Sequence, residues 1–206
     1  MVLTAEIVQP SRSTWKHAKE RKALGPSHAA AVPPMILRLS QKLGSRLKAG
    51  PLKPLPIDDA AVADWTGHLF YCDRSPYILF SNTQTLYSAV LHATGVTNDS
   101  IFLNRFMTTL RDFLEADGLA FAYDRFIAPR TGDIRYASAL SRSVTGSMNE
   151  LIAAAKILLG NQETSPFELG FQLNDLLLSA LESDQSSGYG KPRDAFQALL
   201  AESSAP

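Results

Sequence analysis

The sequence is poor in cysteine and in long apolar runs. Cys72 is the only cysteine among 206 residues, so the chain alone can form neither an internal disulfide nor a cysteine-based metal site. No stretch approaches the ~20 consecutive apolar residues of a membrane-spanning helix. The N-terminal region also lacks the unbroken apolar core of a signal peptide. We therefore predict a soluble cytoplasmic protein that has no contact with a membrane.

The residue patterns of common catalytic and metal sites are missing as well. The four histidines have neither H-x-H nor H-x-x-x-H spacing, and the chain contains no G-x-S-x-G motif and no glycine-rich phosphate loop. His68 and Cys72 lie four residues apart in a predicted strand, a separation of roughly 13 Å that prevents proton transfer between them. We interpret Cys72 as a small buried apolar residue. The sequence predicts no metal and no cofactor, and it favours a protein that is not an enzyme.

Charge is distributed unevenly along the chain. Residues 1–56 contain ten Lys or Arg and two Glu, whereas the remaining 150 residues contain ten basic and eighteen acidic residues. Residues 1–34 combine this positive charge with four prolines and few large apolar side chains, a composition typical of disordered segments. We predict a disordered basic N-terminal extension over residues 1–34, a single domain over residues 35–202 and a frayed tail over residues 203–206.

Strand patterns dominate the centre of the chain. Residues 65–91 contain three apolar and aromatic runs separated by turn-type residues at 73–76 and 82–84, which predicts a three-stranded antiparallel meander. Residues 36–39 read as an earlier strand, followed by a short helix that ends near Gly50. Residues 119–128 are strand-like, and the turn residues at 129–133 connect them to residues 134–136 in a predicted hairpin.

Helical patterns surround these strands. Apolar residues recur at helical spacing over residues 103–114, before Gly118. Ser147 and Glu150 have the spacing of a capping box, which predicts a helix that begins there and ends at Gly160.

A second box, formed by Ser165, Pro166 and Glu168, favours a helix over a strand for the residues that follow, and a last short helix is predicted from Lys191 to Leu200. The fold class is α+β: an antiparallel sheet, made of the meander and the hairpin, with helices packed mainly on one face.

The start of the helix predicted at residue 147 is the first candidate ligand site. A helix N-terminus offers unpaired N–H groups and a partial positive charge, and an arginine with nearby hydroxyls could complete an anion pocket. Capping by Ser147 alone is the competing explanation. The candidate ligand-binding residues are Arg142, Ser143, Ser147 and Asn149, with Arg38 and Gln41 on a facing segment if the two segments meet.

Residues 38–53 form a second candidate region. Arg38, Lys42, Arg46 and Lys48 occur there without any acidic residue among them. This basic patch either faces an anionic partner or is a solvated helix surface that complements the acidic remainder of the chain. Together with the N-terminal extension it could bind nucleic acid through residues 1–53.

Four segments resemble a bacterial family of domains of unknown function. They read MILRLSQKL, DWTGHLFYCDRSPYILFSNTQTLYS, FLEADGLAFAYDRFIAPRTG and ALSRSVTGSMNELI. The resemblance extends from about Met35 to Leu200 and implies a compact α+β domain, with no assigned activity, cofactor or catalytic residue. Members of the family begin close to the position of Met35, which implies that the preceding residues are an extension or an over-called start.

Three functional hypotheses follow from the sequence. The first is a small binding or regulatory domain without catalysis, whose partner is a protein or an anionic ligand. The second is a nucleic-acid-associated protein that uses the basic N-terminal region. The third is an enzyme that acts on an anionic small molecule at the corner formed by Arg142 to Asn149.

Overall fold

The computed structural model describes residues 32–57, 60–160, 164–181 and 189–204. Most of the predicted N-terminal extension therefore lies outside the described residues. Within these ranges the five strands are β1 (Met35–Leu39), β2 (Asp64–Cys72), β3 (Ser75–Asn82), β4 (Ser88–His92) and β5 (Ile134–Ser138). The longer helices of the described ranges are α1 (Gln41–Leu47), α2 (Asp99–Ala116), α3 (Arg142–Gly160), α4 (Pro166–Asn174) and α5 (Pro192–Ser204).

The strands form one mixed sheet in the order β4-β3-β2-β1-β5. The predicted meander is confirmed, because β2, β3 and β4 pair in antiparallel fashion. β1 runs parallel to both of its neighbours, β2 and β5. The sheet is therefore antiparallel on one side and parallel on the other, and the domain belongs to the predicted α+β class.

The turn between β2 and β3 is a two-residue hairpin turn, as its backbone angles show. Asp73 and Arg74 have φ values of 46° and 67°, the left-handed conformation that two-residue hairpins require because it matches the twist of the strands. In the next turn the side chain of Asn82 accepts hydrogen bonds from the backbone N–H groups of Gln84 and Thr85. Asparagine stabilises turns in this way, so turn chemistry sets the meander.

The second predicted hairpin is wrong. Residues 120–130 are helical: a short α-helical turn continues into π-helix at Tyr123–Ile127 and a 3-10 turn at Ala128–Arg130. Leu119, Ala122 and Phe126 recur at helical spacing and are buried in the same apolar cluster as the core residues of α2, and this packing outweighs the strand preference of the aromatic residues. Residues 134–136 do lie in a strand, but β5 pairs with β1.

Two helix starts were predicted with capping boxes, and only one is correct. Ser165 and Glu168 exchange both capping hydrogen bonds at the start of α4, which confirms the predicted helix. α3 begins at Arg142, five residues before the predicted start. Its first turn is capped instead by Ser141, whose Oγ accepts a hydrogen bond from the N–H of Val144 at 3.2 Å. Ser147 therefore lies inside the helix.

Helices cover both faces of the sheet, so the prediction that they pack mainly on one face needs correction. On the first face, Trp65 makes edge-to-face contacts with Phe80, Phe106 of α2 and Phe196 of α5. On the second face, residues of α3 and α4 form a separate apolar cluster with Phe70 and Leu79. The sheet is the middle of three layers.

The helix α1 lies close to β2. A Cβ atom at Gly67 would approach Cδ2 of Leu43 to 2.9 Å, so any other residue at this position would force the buried side chain of Leu43 to move. At the far edge of the sheet, the side chain of Asn174 pairs with both the N–H and the C=O of Ser88 in β4. Among the described residues, no helix is long and apolar enough to cross a membrane.

Candidate functional site

A cleft of about 810 Å³ opens where β1 and β5 end. The parallel register pairs Leu39 with Ser138, so both strands finish at the same edge of the sheet. We call this space the first cleft. It is lined by Leu39, Gln41, Gly44, Ser45, Lys48, Gly50, Pro51, Leu52, Ser138 and Ala139.

One wall of the first cleft is α1, and the local sequence explains its short length. The Oγ of Ser40 accepts a hydrogen bond from the N–H of Leu43 at the start of the helix. Lys48 adopts a left-handed conformation, with φ of 56°, and ends the helix. The chain then turns back, so that Gly50, Pro51 and Leu52 face the helix across the cleft.

The opposite wall is the connector of residues 49–57, which is anchored at two points. The carbonyl oxygen of Lys53 accepts a hydrogen bond from the N–H of Ser138 at 3.0 Å. The guanidinium of Arg38 donates to the carbonyl oxygens of Leu55 and Pro56 at 2.7 and 2.9 Å. These bonds hold a proline-rich segment, which has few backbone donors of its own, in one position beside the sheet.

Arg38 belongs to a closed polar cluster, made of Arg38, Asp64, Thr66 and Thr83. Its side chain is 0% exposed and binds both carboxylate oxygens of Asp64, at 2.8 and 2.7 Å. Thr83 donates to the same carboxylate at 2.8 Å and lies 2.8 Å from the hydroxyl of Thr66. The charge of Arg38 is therefore compensated inside the protein, as a buried charge requires.

A second cleft, of about 470 Å³, lies on the other side of α1, beside the end of β2. The two clefts share Gln41 and Ser45, which lie one helical turn apart on the exposed face of α1. The second cleft is lined by Gln41, Lys42, Ser45, Arg46, Leu69 and Tyr71.

Three basic residues, Lys42, Arg46 and Lys48, form an open basic cluster along the two clefts. Lys48 lines the first cleft, and Lys42 and Arg46 line the second. Lys42 and Lys48 are exposed. Arg46 is half-buried and donates to the carbonyl oxygens of Val96 and Ala93. None of the three forms an ion pair within the described ranges, so their positive charge remains available to a ligand.

The charge of Lys42 acts on a neighbouring histidine. The pKa of His68 is lowered from its ordinary value, mainly because the ring is partly buried and in addition because Lys42 is near.

Burial and the carboxylate of Asp73 raise the pKa of Cys72. The thiol is half-buried and its Sγ lies 3.6 Å from the carbonyl oxygen of Lys156. A raised pKa disfavours the reactive thiolate form.

The predicted ligand-binding residues do not gather at one place. Gln41 lines both clefts, and Arg38 lies in the closed polar cluster. The linings of the two clefts contain none of the four residues proposed on α3. Arg142, Ser143 and Asn149 are exposed, and Ser147 is buried and donates its hydroxyl to the carbonyl oxygen of Ser143.

The first cleft contains Lys48 of the predicted basic patch and two residues that sequence reasoning missed, Ser45 and Ser138. The acid-free stretch of residues 35–57 was the available signal for Ser45. Ser138 comes from a strand about 100 residues later in the chain, and only the pairing of β5 with β1 brings it there.

Among the described residues, no group of three or more His, Cys, Asp or Glu is arranged to hold a metal ion.

A family model described as "Domain of unknown function (DUF6933)" matches residues 36–195. The chain belongs to this family. No curated protein matches the sequence. The matched range runs from β1 into α5, so the DUF6933 domain includes all five strands of the sheet and the residues that line both clefts.

Proposed function

We propose that this DUF6933 domain is a binding domain without catalysis, and that its ligand is a small molecule with an apolar body and an acidic group. The ligand occupies the first cleft. The observation that carries this proposal is the cleft of about 810 Å³ at the carboxyl ends of the parallel strands β1 and β5. Open sheets with parallel strands commonly bind ligands at this edge.

The size and the lining of the first cleft support a small-molecule ligand. Its volume falls within the ~300–1,000 Å³ of typical small-molecule sites. Leu39, Pro51, Leu52 and Ala139 give apolar surface, and the polar groups are few. Such a lining suits a ligand whose apolar part is buried and whose orientation is fixed by one or two polar contacts.

The charge of the ligand follows from Lys48, which lies at the rim and has no ion-pair partner within the described ranges. The other polar side chains of the lining are the amide of Gln41 and the hydroxyls of Ser45 and Ser138. An amine, an amide and two hydroxyls can bind a carboxylate or sulfonate. None of them is an ordinary general base at neutral pH, which favours binding over turnover.

The anchored connector favours a cleft that exists before the ligand arrives. Ser138 and Arg38 hold the connector through hydrogen bonds to the carbonyl oxygens of Lys53, Leu55 and Pro56. A preformed site loses little conformational entropy on binding, which increases affinity.

The test uses 8-anilinonaphthalene-1-sulfonate, a fluorescent probe with an apolar ring system and one negative charge. Ala139→Phe places a ring in the first cleft and should weaken probe binding about tenfold, the equivalent of ~1.4 kcal/mol. Lys48→Asn removes the charge and tolerates the left-handed conformation of this position, so it should weaken binding about threefold to tenfold. The measurement is a fluorescence titration of each variant.

The matched control is Lys53→Asn, which makes the same change of charge at an exposed residue outside the lining. Its affinity for the probe should equal that of the unmodified protein. Circular dichroism establishes that each variant is folded. Equal affinities of the unmodified protein and folded Ala139→Phe, or no saturable binding at all, would contradict the proposal.

A further inference from the structure

The second cleft contains an arginine, Arg46, that is held in place but has no ion-pair partner in the part of the chain that the structure describes. The Nε and one terminal nitrogen of Arg46 donate to the carbonyl oxygens of Val96 and Ala93, at 2.9 and 3.0 Å. The other terminal nitrogen lies 3.4 Å from the hydroxyl of Tyr71, in the lining of the cleft. The guanidinium is thus fixed with one of its nitrogens directed toward the space beside Tyr71.

Two other arginines show what this site lacks. Arg38 binds the carboxylate of Asp64, and Arg193 binds the carboxylates of Asp117 and Asp175. Arg46 is also removed in part from solvent, yet its partners in the described ranges are carbonyl and phenol oxygens, which carry no full negative charge. A bound anion would supply the missing compensation.

Lys42 adds a second positive charge that a bound anion would compensate. Lys42 and Arg46 are four residues apart on α1, so their side chains lie on one face of the helix, and like charges at this spacing repel each other. Both line the second cleft. An anion between the two side chains would turn a repulsive pair into a favourable three-charge arrangement.

The aromatic wall of the cleft adds a preference for a ring. Tyr71 is 49% exposed, an unusual exposure for a large aromatic residue in a strand of this sheet, and Leu69 beside it is apolar. A planar group attached to the anion could pack on this surface, as aromatic rings prefer offset-stacked or edge-to-face contacts.

We infer that the second cleft is a binding site for an oxyanion attached to a planar ring, of the aryl phosphate or aryl carboxylate class. Arg46 and Lys42 bind the oxyanion, and Tyr71 and Leu69 contact the ring. The site lies across α1 from the first cleft, and it is independent of the function proposed above.

The experiment titrates the full chain with phenyl phosphate, followed by isothermal calorimetry at low salt. Benzoate tests whether a carboxylate can replace the phosphate, and inorganic phosphate tests the contribution of the ring. We expect phenyl phosphate to bind at least fivefold more tightly than inorganic phosphate. Lys42→Ala should weaken phenyl phosphate about fivefold and inorganic phosphate similarly, whereas Tyr71→Leu should weaken phenyl phosphate alone.

Three outcomes would overturn the inference: no saturable binding of phenyl phosphate, equal binding of phenyl and inorganic phosphate, or affinities that neither Lys42→Ala nor Tyr71→Leu changes. The matched control for charge is Lys53→Ala, which should change the affinity less than twofold. Ala139→Phe should leave phenyl phosphate binding unchanged. If it abolishes binding while Lys42→Ala does not, the ligand occupies the first cleft, so this inference fails and the proposed function stands.

Discussion

The closed polar cluster and the open basic cluster lie next to each other at the end of β1. Both contain an arginine from the same acid-free stretch, Arg38 in one and Arg46 in the other. Arg38 is fully buried and binds a carboxylate together with two carbonyl oxygens. Arg46 is half-buried and binds carbonyl oxygens, and no carboxylate among the described residues pairs with it.

The two clusters differ in whether the protein itself compensates the positive charge of the arginine. In the closed cluster every charge has a partner inside the protein, so the cluster holds β1, β2 and the connector together. In the open cluster the backbone fixes a cation in position but does not neutralise it. The positive charge of Arg46 is therefore available to a ligand, whereas that of Arg38 is not.

Breaking the closed cluster should give the largest effect. Asp64→Ala leaves the charge of Arg38 buried without a partner, and loss of one member of a buried ion pair costs about 3–5 kcal/mol in the free energy of unfolding. Chemical denaturation measures the change. The matched control is Asp133→Ala, which breaks the exposed pair of Asp133 with Arg135, whose side chains are 56% and 58% exposed.

That control should change stability by less than about 1 kcal/mol. If Asp64→Ala fails to fold, the double variant Arg38→Met with Asp64→Leu decides the matter, because replacing a buried pair by apolar side chains is often close to neutral. We expect the double variant to fold and to be more stable than Asp64→Ala. Equal costs at residues 64 and 133 would show that the closed cluster is no different from a surface pair.

Removing the fixed cation of the open cluster should cost less. Arg46→Met keeps much of the apolar stem but removes the hydrogen bonds to the carbonyl oxygens of Val96 and Ala93, two residues that are 0% exposed. Because a buried carbonyl oxygen then lacks its donor, we expect a loss of about 2 kcal/mol in the free energy of unfolding. A loss as large as that of Asp64→Ala would mean that Arg46 is primarily a structural residue.

The smallest effect concerns the charge of Lys42. Because the folded state lowers the pKa of His68 below its ordinary value of 6.5, the unfolded chain takes up this proton more readily, and stability falls as the pH drops below that value. Lys42→Ala removes one cause of the shift and should raise the pKa of His68 and flatten this pH dependence. Its effect on stability at neutral pH should stay within ~0.5 kcal/mol.

An NMR titration of the His68 ring measures that pKa directly, and Lys53→Ala is the matched control. An unchanged pKa in Lys42→Ala would indicate that solvent screens the lysine completely. Lys42 would then contribute little to an anion site.

Local chemistry made much of this fold predictable. The turn residues at 73–76 and 82–84 set the meander, and the capping box at Ser165 set the start of α4. Both are determined by residues within a few positions of one another. The first strand and the short helix after it are also predicted from adjacent residues. β1 ends at the first cleft, and α1 forms one of its two walls.

Two of the failures arose where a distant contact decides the structure, and a third arose from a competing local cap. Residues 119–128 have both strand-like composition and helical spacing, and burial of Leu119, Ala122 and Phe126 in the apolar cluster that includes α2 selects the helix. Ser147 and Glu150 match a capping box, but Ser141 is an earlier cap, so the helix starts before the box. The pairing of Arg38 with Asp64 spans 26 residues, and no local pattern predicts it.

The central position of β1 has a consequence for synthesis of the chain. Its two neighbours are β2, which begins 25 residues after β1 ends, and β5, which begins only at Ile134. A nascent chain that has not yet exposed residue 138 outside the ribosome leaves one side of β1 unpaired, with apolar residues that later become buried. Among the described strands, β1 emerges first and is completed last, so chaperones that bind extended apolar segments would have their longest opportunity there.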